Sequence, residues 1–248
     1  KTELGDLRVL DEFRHDALTR KRQRARGPRV IAHIFSGNVP NPAIISFILG
    51  MLVKSVNIGK VSSEDEGFLD IYLESLKAFD KRLAGTNFLL PPKDRRSALG
   101  AIQKSDLVVA YGNDESLKEI RDHVPVATPS VGYGHRMSSG IVAKEALNKK
   151  NLETFAKKTA RDIWMTDQRG CLSPVEIFVE TGGEVTLSEF SGALAKAMEQ
   201  LFGVKAWRVP VGLGATHLIG FGARKMVGVR PVRNFENISK ILKPFQKY

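Results

Sequence analysis

The chain has 248 residues, of which 42% are apolar and 26% charged, with a single cysteine and a formal charge of +11. That length buries one large core or two modest ones, and that composition excludes a disordered chain and a disulfide-stapled secreted domain. The longest apolar run, Pro42 to Val53, falls short of the roughly 20 residues of a membrane span, and "KTELGDLRVL" has no signal-peptide pattern, so a cytoplasmic protein without a membrane span is expected.

Residues 1–30 form a basic N-terminal segment. Within it "RKRQRARGPR", residues 20–29, holds six of the 38 lysines and arginines. No aromatic interleaving, zinc spacing or helix-turn-helix pattern accompanies the run. A solvated segment, or one that meets phosphate-bearing small molecules, is therefore expected in preference to a nucleic-acid contact. From Arg29 the chain reads "RVIAHIF", a β-branched apolar run, then the turn "SGNVPNP", a helical stretch through Lys54 and the strand "VNIGKVS". Strand, helix and strand in so short a span predict a βαβ unit. The alternation continues with one helix over "EDEGFLDIYLESLKAFDKRL", a strand "NFLL", a helix near "RRSALGAIQK", the strand "DLVVAY" and a helix from "DESLKEIRDH". A mostly parallel sheet with helices on both faces follows, and ligands belong at the carboxyl ends of its strands. Past Leu147 come a helix "NLETFAKKTARDIW", the cysteine segment, a strand "VEIFVE", a helix "SEFSGALAKAMEQLF", strands "KAWRVPV" and "KMVGVRPV", and a last helix "FENISKILKPF". The expected division is a nucleotide-binding domain over 31–150 and a smaller α/β catalytic domain over 151–248.

Three loops after strands carry residues suited to ligands. In "FSGNVPNP", Gly37 permits unusual backbone angles and Asn38 offers an amide donor, although the loop by itself reads more readily as a plain Gly-Asn-Pro turn. In "YGNDES", Gly112 and Asn113 end a strand, and Asn113 or Asp114 caps the next helix. "NIGKVSSED" sets Lys60 at a strand end with hydroxyls behind it, a pattern that suits a ribose or phosphate but also an ordinary surface lysine. Neither glycine-rich nucleotide fingerprint is present. Of the histidines, His33 lies in an apolar strand and belongs to the core, and no cluster has metal-ligand spacing. Cys171, in "DQRGCLSP", is either a small buried apolar residue or a reactive thiol. Gly170 before it allows a close backbone approach, and Arg169 favours a thiolate if it points inward.

The blocks "HIFSGNVPNPAIISFILGMLVKSVNIGKVSSED", "SDLVVAYGNDESLKEIRDHVP", "GYGHRMSSGIV" and "ARDIWMTDQRGCLSP", in this order, cover most of residues 31–180. They resemble the acyl-CoA reductases, a family within the aldehyde dehydrogenase superfamily that includes the fatty acid reductase of bacterial bioluminescence. The resemblance implies an α/β, aldehyde dehydrogenase-like fold, with a Rossmann-type sheet and a second, smaller catalytic domain. It implies NADPH- or NADH-dependent reduction of an acyl-CoA, or another activated fatty acyl carrier, to an aldehyde through an acyl group held on Cys171. Asn38 matches the oxyanion-hole asparagine. Lys60, Ser62 and Ser63 match the segment that binds the adenosine ribose, and Gly112, Asn113 and Ser116 match the turn near the pyrophosphate. A homo-oligomer is implied as well. Where hydrolytic aldehyde dehydrogenases carry a glutamate base, this chain has "GYGHRMS", without a carboxylate, which suppresses hydrolysis of the thioester. His135 and Arg136 there either meet cofactor or carrier phosphate or are structural. The family continues further beyond such a cysteine than the residues after Cys171 here, so the catalytic domain is expected to be short or partial. An oxidative aldehyde dehydrogenase, CoA-acylating or hydrolytic, and a noncatalytic nucleotide- or nucleic-acid-binding protein are the competing readings.

Overall fold

A computed structural model describes residues 7–16, 20–37, 41–63, 67–134, 138–165, 172–203 and 227–233. The chain divides into two compact units, Lys1–Gly134 and His135–Tyr248.

The first unit opens with a 3-10 turn, Leu7–Leu10, and two short strands, β1 (Arg14–His15) and β2 (Arg22–Gln23), paired antiparallel. Part of the basic segment is thus structured: Arg22 donates to the Phe13 carbonyl at 3.3 Å and Gln23 to the Asp16 carboxylate at 2.6 Å. There follow β3 (Val30–Ile34), α1 (Asn41–Leu52), β4 (Val56–Lys60), α2 (Phe68–Phe79), α3 (Lys81–Ala84), β5 (Asn87–Leu90), α4 (Arg95–Lys104), β6 (Leu107–Tyr111), α5 (Asp114–His123) and β7 (Ser130–Tyr133). The five longer strands make one parallel sheet in the order β5-β4-β3-β6-β7.

Period-two alternation along β3 sends its side chains to opposite faces. Phe35, just beyond it, packs with Phe47 of α1 and Leu69 of α2, whereas Ala32 packs with Val108 of β6 and Ala101 and Ile102 of α4. The amino end of β3 is pinned to β6 by Asp106, whose carboxylate accepts from the amides of Arg29 and Val30 at 3.0 Å each. Those bonds, the one from Val30 foremost, hold the Asp106 carboxyl below its ordinary range. The stretch expected to form one long helix is two, because Asp80 is extended (φ −146°) and its side chain caps α3 by accepting from the amides of Arg82 and Leu83.

The second unit contains β8 (Ser138–Val142), α6 (Leu152–Trp164), β9 (Pro174–Glu180), α7 (Leu187–Phe202) and β10 (Gly228–Val232). Its three strands are parallel, in the order β10-β9-β8. Ile177 and Val179 of β9 pack on Ile163 of α6 and on Phe190, Leu194 and Met198 of α7. A capping box between Thr186 and Glu189 starts α7, and Gly203, at φ 64°, ends it. Because β8 pairs with β9, residues 138–142 fold with the second unit, so the break comes earlier than the division expected after residue 150. Strand β10 lies within the expected "KMVGVRPV", while "KAWRVPV" and "FENISKILKPF" fall outside the described residues. Among the described residues no helix is long and apolar enough to cross a membrane.

Candidate nucleotide site at the strand ends

Strand order fixes where a ligand can sit. From β3 the chain moves to β4 on one side and later returns to β6 on the other. The carboxyl ends of β3 and β6 therefore flank a topological switch point, where open parallel sheets bind ligands. The expected residues gather along this edge. Lys60 ends β4, with its carbonyl accepting from the Phe35 amide at 3.0 Å, and Ser62 and Ser63 follow it. Gly112 and Asn113 follow β6, and Ser116 lies in the first turn of α5. The two groups stand on opposite sides of β3.

The turn after β6 is tight. Asn113 Oδ1 accepts from the Ser116 amide at 2.8 Å, so this side chain caps α5. A Cβ on Gly112 would lie 3.1 Å from the Ser116 Cβ, which is why glycine suits the position. Asp114 and Glu115 occupy the first helical turn, where they match the helix dipole and oppose a phosphate. The cation nearest this edge in sequence is instead Lys60.

Beneath the edge lies a polar chain that sequence reasoning only partly anticipated. His33 is 1% exposed and Asn57 fully buried. Asn87 Nδ2 donates to the Leu83 carbonyl at 2.7 Å, which orients its amide. Its Oδ1 accepts from Asn57 Nδ2 at 2.9 Å, and Asn57 Oδ1 accepts from His33 Nε2 at 2.9 Å. His33 Nδ1 is then the bare nitrogen and accepts from the Ser46 hydroxyl at 2.8 Å. One backbone carbonyl thus sets the direction of every bond up to Ser46. Burial lowers the His33 pKa to about 4, with the Asn57 bond acting against it, so the ring is neutral at pH 7. Burial likewise raises the Tyr111 pKa, opposed by Ser46 and helped by Tyr133.

The Tyr111 ring lies parallel to that of Tyr133, with centroids 4.7 Å apart and planes at 14°. Sequence reasoning passed over this pair. Its signal was a repeated Tyr-Gly, in "AYGN" and "GYGH", closing two strands that prove to be neighbours. Asn38, Cys171, His135 and Arg136 lie outside the described residues. Among the described residues no group of three or more acidic, histidine or cysteine side chains could hold a metal ion.

The sequence model of the family described as Acyl-CoA reductase (LuxC) matches residues 1–205. The long-chain acyl-protein thioester reductase of Aliivibrio fischeri is 27% identical over 183 residues, covering 71% of this chain and 36% of that one. Its counterpart from Vibrio harveyi is 25% identical over 182 residues, covering 71% and 37%. The chain therefore spans little more than a third of the length of the curated relatives it matches. Among solved structures, the propionaldehyde dehydrogenase of the Clostridium phytofermentans fucose utilisation microcompartment superposes with a TM-score of 0.63 at 11% identity, over 87% of this chain and 58% of that one. The NADP-dependent glyceraldehyde-3-phosphate dehydrogenase of Bacillus halodurans, solved with NADP, gives 0.63 at 12% identity, over 87% and 54%. At such identities the likeness carries the fold alone, which is aldehyde dehydrogenase-like. With its family model matched from residue 1 to residue 205, the chain belongs to the acyl-CoA reductase (LuxC) family.

Proposed function

We propose that this chain supplies the nucleotide-binding and nucleophile-bearing part of an NADPH- or NADH-dependent reductase that converts a long-chain acyl thioester to an aldehyde. The observation that carries the reading is the arrangement of loops. Those holding Asn38, Lys60 and Gly112 follow β3, β4 and β6, adjacent strands of one parallel sheet. The names of the curated relatives, long-chain acyl-protein thioester reductases, support the acyl substrate.

In this reading the Cys171 thiolate attacks the acyl carbonyl, a sulfur–carbon bond forms, and the carrier leaves as its thiolate. The Asn38 amide donates a hydrogen bond to the oxyanion that develops. Lys60, Ser62 and Ser63 hold the adenosine ribose, and Gly112, Asn113 and Ser116 hold the turn beside the pyrophosphate. A bound nicotinamide cofactor supplies the hydride. The stretch from Gly132 to Ser138 contains no carboxylate to activate water, so the acyl group is kept for reduction. The enzyme works in the cytoplasm as a homo-oligomer, on acyl-CoA or another activated fatty acyl carrier.

Incubation with radiolabelled long-chain acyl-CoA tests the nucleophile. Covalent label is expected on the wild type and none on Cys171→Ala. Label that survives the substitution removes Cys171 from the mechanism.

A further inference from the structure

Phe35, Tyr111 and Tyr133 form a row across the ends of β3, β6 and β7. The Phe35 and Tyr111 centroids are 5.8 Å apart and those of Tyr111 and Tyr133 are 4.7 Å apart. Tyr111 and Tyr133 are directly paired in the β6–β7 register, and the Gly112 amide donates to the Tyr133 carbonyl at 3.2 Å. The row is held from below, because Phe35 packs on Phe47 and stacks on His33, which is tied to Ser46 and Asn57. Tyr111, half-buried between Phe35 and Tyr133, is the backing plate. Tyr133, stacked on it, is 45% exposed.

We propose that Tyr133, backed by Tyr111, is the surface on which the nicotinamide ring of the cofactor stacks. The inference rests on the proposed nicotinamide-dependent function and names the side chains that receive the ring. Flat π systems stack offset and parallel on aromatic faces, and a ring that cannot rotate loses little entropy in accepting one. Position selects which end of the dinucleotide reaches it. Lys60 ends β4 and Tyr133 ends β7, with β3 and β6 between. Three interstrand spacings of about 4.8 Å separate them, roughly 14 Å along the edge. That span suits an extended dinucleotide with its adenosine ribose at Lys60 and its other ring at Tyr133, and exceeds a mononucleotide.

The test is a set of titrations of wild type, Tyr133→Ala, Tyr133→Leu and Tyr133→Phe with NADH, with NADPH, and with ADP-ribose, which lacks the nicotinamide ring. The Ala and Leu variants are expected to bind the preferred dinucleotide roughly ten- to a hundredfold more weakly. Tyr133→Phe should bind like wild type, because the ring and not the hydroxyl makes the contact. ADP-ribose should bind all four proteins equally, which also shows that the variants are folded. Unchanged dinucleotide affinity in Tyr133→Ala and Tyr133→Leu overturns the stacking role while leaving the cofactor reading intact. A loss shared equally by ADP-ribose overturns it too, since the effect is then not on the nicotinamide. A wild type that binds no dinucleotide and no ADP-ribose brings down the cofactor reading itself, and the stacking role with it.

Discussion

Gly50 of α1 faces Asn57 of β4 so closely that a Cβ at position 50 would overlap the Asn57 side-chain oxygen. That oxygen is the acceptor for His33 Nε2. Helix α1 and the polar chain beneath the strand ends therefore depend on the same small space, and glycine at position 50 keeps it open.

Glycine inside a helix costs about 1 kcal/mol relative to alanine, so propensity alone favours Gly50→Ala. The contact argues the other way. An added methyl must displace Asn57 or push α1 off the sheet, breaking a buried hydrogen bond and leaving its partner unsatisfied, at about 1–3 kcal/mol. Gly50→Ala is expected to be net destabilising, by roughly 1–2 kcal/mol, in urea unfolding. A variant as stable as the wild type would mean that α1 yields without disturbing Asn57.

His33 predicts an acid limb in the stability profile. Unfolded, it titrates near 6.5, and folded, near 4. Between those values the unfolded chain binds a proton that the folded one refuses, so stability falls as pH drops from about 6.5 to about 4. The full loss is about 3 kcal/mol. Above pH 6.5 His33 contributes no further pH dependence. Asp80, Asp94, Asp106 and Glu189, with lowered pKa values, act in a separate window at lower pH, where their contribution is lost on protonation. Unfolding free energies at pH 7.5, 6, 5 and 4.5 check the prediction. The His33→Gln variant should be less stable throughout and flatter between pH 6.5 and 4.5, and an equal slope in both proteins would place the titration elsewhere.

These features differ in how far the sequence revealed them. "RVIAHIF" and "DLVVAY" read as strands because continuous β-branched runs are buried on both faces of a parallel sheet. The edge residues Lys60 and Asn113 followed from βαβ order, since every loop after such a strand opens on the same edge. Strands β7 and β8 were not legible. "SVGY" and "SSGIV" have little apolar content, and they are strands because β6 and β9 offer them hydrogen bonds. The break at Asp80 was hidden by apolar spacing that runs on through α3. The Tyr111–Tyr133 stack joins residues far apart in the chain, so only strand register brings it into being.

Glu176 was equally silent, the first of two acids in the otherwise apolar "PVEIFVE". It is fully buried in β9, and Arg230 of β10 reaches it with Nε at 3.3 Å from Oε1. The guanidinium also lies 5.8 Å from the Phe178 ring centroid. Desolvating a carboxylate is costly, so the pair need not be net stabilising, yet removing the arginine takes an opposite charge away from a buried carboxylate. The two single substitutions should therefore differ. Arg230→Leu removes an ion-pair partner from a fully buried carboxylate and is expected to cost up to about 3–5 kcal/mol. Glu176→Gln leaves behind an arginine whose side chain is 27% exposed and can turn toward solvent, so its cost should be smaller. The double variant Glu176→Met/Arg230→Leu should recover most of what Arg230→Leu loses, because the buried charge is gone. Urea unfolding of the four proteins measures this directly. If the double variant is as unstable as the sum of the singles, the strands are held by something other than charge compensation.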